Sequence, residues 1–120
     1  MSLVKDSDKE ACKERILAFK DALELLGGKW TLCILQTLST SSAIKFKDLQ
    51  ASIAGISSKV LSKELRVMEE NLLITRTVNN TKPITVSYSI TNHAGETQSV
   101  VNALLEFGLK HRKKIKGKES

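Results

Sequence analysis

With 120 residues, 41% hydrophobic and 27% charged, the chain has material for one compact domain around a single core and no room for a second. Aromatic residues are only 4% of the total, so the core is aliphatic, and the stacking platforms that single-stranded nucleic acid needs are hard to build. The net charge of +6 is uneven: residues 1–44 carry six basic and six acidic side chains, residues 45–83 seven and four, residues 84–120 six and three. A locally basic surface attracts a polyanion, and double-stranded DNA suits this composition better than single strands.

Apolar runs such as Leu32-Cys33-Ile34-Leu35 fall far short of the ~20 residues that cross a bilayer. The start of the chain mixes Lys5, Asp6, Asp8, Lys9 and Glu10 without the apolar region of a secretory signal. Both features predict a soluble, cytoplasmic protein.

In chain order, Ile16, Phe19, Leu23 and Leu26 recur at steps of three and four and predict an amphipathic helix over residues 8–26. Gly27-Gly28 ends it, on the expectation that glycine supplies the positive φ that closes helices. Trp30, Ile34 and Leu38, with Cys33, predict a short buried helix, with Trp30 and Cys33 as core residues, and Ser39 to Ser42 form a polar connector. Phe46, Leu49, Gln50 and Ile53 predict a third helix over residues 47–53. Ala54-Gly55-Ile56 is then a turn into a longer helix opened by Ser57. In that fourth helix Leu61, Leu65, Met68 and Leu72 share one face, while Lys59, Ser62, Lys63 and Arg66 share the opposite one.

The texture then changes. Residues 74–78 and 85–90 are rich in β-branched side chains and alternate apolar with polar, as half-buried strands do. The polar segment between them makes the pair a hairpin. Asn79, Asn80 and Lys82 at its tip are placed either to touch phosphates or the minor groove, or simply to be solvated. A last helix is expected over residues 94–114. Its apolar residues, among them Val101, Leu104, Leu105, Phe107 and Leu109, cover about two thirds of the circumference, more than one contact can hide. That surplus predicts a partner, most simply a second copy. The six basic residues from Lys110 to Lys118 read as a solvated, frayed tail.

With these elements in place, a series of motifs resembles the HxlR-type transcriptional regulators, a winged-helix family related in fold to MarR-type proteins. In order they are Leu26-Gly27-Gly28-Lys29-Trp30 with Ile34-Leu35, Phe46-Lys47-Asp48-Leu49, the stretch from Ile53 to Leu65, Leu73-Ile74-Thr75-Arg76, Lys82-Pro83, and Val86-Ser87-Tyr88-Ser89-Ile90-Thr91. They span roughly residues 17 to 109. The resemblance implies a mainly α fold with a small β-hairpin, a winged helix-turn-helix with N- and C-terminal dimerisation helices.

Some positions depart from the family pattern. Lys45 stands where members usually carry Arg, which keeps the charge but loses the planar fork that grips phosphate. Phe107-Gly108 stands for a usual Trp-Gly, and residues 91–95 have one residue more than the usual Thr-x-x-Gly. The Cys-Pro pair that some members use for sensing aligns with Leu17. The nearby thiol, Cys12, is five residues earlier, so that role does not carry over by position. Lys13 and Arg15 favour its thiolate and Glu10 and Glu14 oppose it, which leaves Cys12 as a redox thiol or an ordinary free one. The two cysteines with His93 and His111 lack zinc spacing, and neither nucleophile with base, phosphate loop nor paired carboxylates suggest catalysis. No cofactor, no metal and no enzyme activity are expected.

The function expected is sequence-specific regulation of transcription by a homodimer whose residues 57–71 enter the major groove of a near-palindromic operator. The candidate DNA-binding residues are Lys45, Lys47, Ser57, Ser58, Lys59, Ser62, Lys63, Arg66, Arg76, Asn79, Asn80 and Lys82. Those for the dimer interface are Ile16, Phe19, Leu23, Val101, Leu104, Leu105 and Leu109. A small-molecule effector has room at such an interface, although no residue announces one. The alternative is a winged-helix module that offers its basic face to an acidic protein, for which Glu64, Glu69 and Glu70 on the flanks of the fourth helix give some support.

Overall fold

A computed structural model describes residues 6–119, and Lys5, part of the mixed-charge start noted above, lies outside them. Helix α1 spans Asp6–Leu26, α2 Thr31–Leu38, strand β1 Ile44–Lys45, α3 Phe46–Ser52, α4 Ser58–Glu70, β2 Ile74–Asn79, β3 Thr85–Ile90, α5 Asn92–Gly95 and α6 Gln98–Glu119. The fold is mostly helical with a small antiparallel sheet in the order β1-β3-β2. Tyr88 at its centre faces Ile44 on β1 and Arg76 on β2.

The core is aliphatic, as the composition requires. Ile34, Leu35 and Leu38 from α2, Leu49 from α3, Leu61, Leu65 and Met68 from α4, Leu73 just before β2 and Ile74 at its start are all buried together. Each such side chain contributes about 1.5–3 kcal/mol by leaving water. Trp30 is half-buried against this cluster, with the Lys29 ammonium 5.0 Å from its ring centre.

Several expectations need correction. Cys33 is exposed, because α2 buries the opposite side through Ile34, Leu35 and Leu38. Leu72 is also exposed; it lies past the end of α4 in the left-handed region (φ 63°), and Leu73 takes the core position instead. Neither Gly27 nor Gly28 has positive φ; among the described glycines only Gly55 does (φ 83°), in the turn between α3 and α4. Gly27 is needed for a different reason: a Cβ there would collide with the carbonyl oxygen of Leu23.

The expected hairpin is part of a three-stranded sheet, since β1 adds to β3. The last helix is divided into α5 and α6. The basic segment from Lys110 onward is helical rather than frayed, continuing α6 through Glu119. Lys and Arg are good helix formers, and their charge is favourable near a helix C-terminus.

Candidate nucleic-acid interface

The short α3, the Gly55 turn and the longer α4 make the helix-turn-helix. Ser57 caps α4, its hydroxyl accepting a hydrogen bond from the Val60 backbone N–H at 3.1 Å and leaving the other first-turn amides free to attract an anion. Since Leu61, Leu65 and Met68 are consumed by the core, the opposite face is held outward. Ser58, Lys59, Ser62, Lys63 and Arg66 are all exposed on it. Lys59, Ser62, Lys63 and Arg66, with Val60, line one shallow hollow along the helix.

Beside that hollow a cleft of about 740 Å³ opens between α3, α4 and the tip-side part of β3, lined by Lys45, Phe46, Lys47, Asp48, Ser62, Ile84, Thr85, Val86 and Tyr88. Ser62 belongs to both depressions, so the outer face of α4 runs without a break into the cleft. Together the two linings hold five basic groups (Lys45, Lys47, Lys59, Lys63, Arg66) against one acidic group, Asp48. The excess of positive charge attracts anions to this surface.

The candidates separate at the hairpin. Arg76 is exposed on β2, on the sheet face it shares with its cross-strand partner Tyr88. Asn80 and Lys82 are exposed at the tip. Asn79 is different: its side-chain amide donates to the hydroxyls of Thr85 (3.1 Å) and Ser87 (2.8 Å), so it is spent on closing the hairpin. The Thr81 hydroxyl donates to the Pro83 carbonyl at 2.8 Å, and the Thr81 N–H donates to the Asn79 carbonyl at 2.8 Å, which stiffens the tip that carries Lys82.

Sequence reasoning missed the floor and far wall of the cleft, Tyr88, Ile84 and Val86. Their alternation marked a strand but carried no sign of what its faces would meet. It also missed Thr91, which caps α5 and whose hydroxyl donates to the Leu72 carbonyl at 2.7 Å, tying the end of α4 to the end of β3.

The other set of candidates lies away from this surface. On α1 every side chain from residue 8 to 24 is exposed, including Ile16, Phe19 and Leu23; only Leu25 and Leu26 pack against the core. Cys12 is exposed on the same stripe, one turn before Ile16. On α6 the side chains of Leu104, Leu105 and Leu109 are exposed, and with half-buried Val101 they line a second groove with Leu32 and Cys33 of α2. Phe107, also exposed, stacks on His111 with ring centres 6.0 Å apart. Among the described residues no group of His, Cys, Asp and Glu is placed to hold a metal ion, and no helix is long and apolar enough to cross a membrane.

Comparison with known proteins bears on this geometry. A family model described as HxlR-like helix-turn-helix matches residues 25–116. An uncharacterized HTH-type transcriptional regulator of Halalkalibacterium halodurans, BH0655, is 35% identical over 94 residues, 78% of this chain and 83% of that protein. Among solved structures, the HTH-type transcriptional regulator YtcD superposes with a TM-score of 0.75 at 27% identity, covering 79% of this chain and 96% of its own. A MarR-family regulator from Porphyromonas gingivalis W83 gives 0.72 at 27% identity, covering 76% and 88%. These relatives are regulators of transcription, not enzymes.

Proposed function

The chain belongs to the HxlR-like helix-turn-helix family and is a transcriptional regulator with a DNA-binding fold; on that premise we propose that it acts as a homodimer, residues 1–120 forming one winged helix-turn-helix unit in the cytoplasm. Each copy inserts the N-terminal part of α4 into a major groove, and the wing, β2 with β3, touches phosphate or the minor groove of the same duplex. The observation that carries the reading is the split of α4 between a core face and an exposed face of Lys59, Ser62, Lys63 and Arg66 that continues into a cleft with Lys45 and Lys47.

Arg66 is the base reader, because its guanidinium can take both major-groove acceptors of a guanine. Lys45, Lys47, Lys59, Lys63, Arg76 and Lys82 neutralise phosphates, and the hydroxyls of Ser57, Ser58 and Ser62 with the free amides of the first turn of α4 add hydrogen bonds to them. Asn80 serves at the wing tip, while Asn79 acts by holding the wing's shape.

The apolar stripes of α1 and α6 supply the two-fold contact, through Ile16, Phe19 and Leu23 on one helix and Val101, Leu104, Leu105 and Leu109 on the other. A two-fold axis between two reading helices requires a near-palindromic operator, with half-sites one or more helical turns (~34 Å each) apart.

The test is retardation of the DNA upstream of the protein's own gene in a gel-shift titration at low salt. A discrete complex that survives an excess of random duplex is expected. Absence of any retardation would refute DNA binding and favour an acidic protein partner for the same face.

A further inference from the structure

We propose that Tyr88 is a phosphate ligand, its hydroxyl donating to one backbone phosphate of a DNA duplex that lies in the cleft between α3, α4 and the wing. This rests on the DNA-binding reading and adds to it a contact that neither charge nor exposure would single out.

Tyr88 is 8% exposed, its ring packed into the aliphatic cluster, and it is held on the central strand between Ile44 and Arg76. Its hydroxyl has no hydrogen bond to the protein, and yet no buried side-chain polar atom of the described residues lacks a partner. The oxygen is therefore open to solvent, and the opening is the cleft that Tyr88 lines. A hydroxyl at the edge of a core that bonds only water does nothing for the fold that a phenylalanine would not do, since it makes no internal hydrogen bond.

The cleft indicates the ligand. The cleft that Tyr88 lines is also lined by Ser62, Lys45 and Lys47, with Asp48 as its single carboxylate. Two cations and two neutral donors against one carboxylate favour an oxyanion with several acceptor atoms, the chemistry of a phosphate. Ser62 also borders the hollow of Lys59, Lys63 and Arg66, so a strand leaving the groove face of α4 for the wing crosses the cleft. Ile84 and Val86 form an apolar wall, which suits a sugar edge. That continuity favours a phosphate of the duplex over a free one. A ring already fixed by packing also loses little freedom on binding, unlike the long lysines around it.

The experiment compares the unmodified protein with Tyr88→Phe by fluorescence anisotropy, on an operator duplex, on random duplex, and on operator duplexes carrying one neutral methylphosphonate at each position in turn. The expected result is an unchanged thermal midpoint and roughly ten- to a hundredfold weaker binding on operator and random DNA alike, the usual worth of a hydrogen bond to a charged group. At one methylphosphonate position the difference between the two proteins should vanish. If the unmodified protein binds duplex and Tyr88→Phe binds it equally well, the contact is refuted while the DNA-binding reading stands. If the unmodified protein binds no duplex, that reading itself fails and takes the contact with it. Titration with inorganic phosphate, followed by NMR shifts, separates the sources. Saturable binding lost in Tyr88→Phe, with duplex affinity unchanged, would assign the cleft to a free anion and overturn the proposal. Should Tyr88→Phe not fold, the methylphosphonate scan on Lys47→Gln decides, because the same phosphate must lose its effect there.

Discussion

Leu65 and Arg66 are neighbours in the chain with opposite fates. Leu65 is 1% exposed in the core, and shortening it leaves a void that its neighbours only partly fill. Leu65→Ala should lower stability by about 2–5 kcal/mol in chemical denaturation. Arg66 is exposed, and Arg66→Ala should change stability by no more than about 0.5 kcal/mol. Its effect belongs in recognition: preference at one base pair should relax by about 1–3 kcal/mol. Lys82→Ala, at the wing tip, should instead weaken operator and random DNA by the same factor. Equal losses on both DNAs for Arg66→Ala would make it another phosphate contact.

Both fates were legible in the spacing, because α4 has one apolar stripe and one polar stripe. Cys33 was not. In α2 four consecutive residues, Leu32 to Leu35, are apolar, and that run cannot say which side faces the core and which lines the groove against α6. Tyr88 was legible as a strand residue. That its hydroxyl would open into a cleft depends on α3, α4 and the wing meeting there, which no local pattern records.

At the scale of elements, the end of α4 sets how the reading helix is joined to the wing. The Leu73 N–H donates to the Met68 carbonyl at 2.9 Å and the Leu72 N–H to the Glu69 carbonyl at 3.0 Å, the pair of bonds that closes a helix through a left-handed residue. That residue is usually glycine, and here it is Leu72 at φ 63° with 69% of its surface exposed. A left-handed conformation costs a non-glycine residue about 1–2 kcal/mol, only part of which glycine returns through its freer unfolded chain. Leu72→Gly should therefore raise stability by about 0.5–1 kcal/mol, seen as a higher denaturant midpoint with an unchanged slope. A lower midpoint would mean that the Leu72 side chain is covered by something in solution, most simply a second copy.

The four helices with clear periodicity were legible to within a few residues. The two-residue β1 was not, since it exists only by pairing with Tyr88 and Ser87 more than forty residues on. The helical continuation beyond Lys114 was hidden by its charge, which resembles a solvated tail whether or not the backbone is helical.

The whole molecule is extended for a single chain of its length. Its radius of gyration is 18.8 Å, against about 14 Å for a compact chain of this length, and its extents are 69 × 47 × 23 Å. The excess lies in α1 and α6, which present Phe19 at 60% and Phe107 at 68% exposure to water. Leu104 is half-exposed as well, so a charge there is compatible with the folded body, and Leu104→Asp should separate the copies without unfolding them. Sedimentation should give twice the 13.2 kDa of the chain for the unmodified protein and the single mass for the variant, with similar far-UV circular dichroism. The variant also bears on DNA binding. Each neutralised phosphate adds about 0.9 to the slope of log affinity against log salt, and two copies on two half-sites double the contacts of one. A folded monomeric Leu104→Asp should thus show roughly half the slope of the unmodified protein on operator DNA. A monomeric unmodified protein would remove the two-fold contact, and equal slopes would mean that one copy holds the duplex alone.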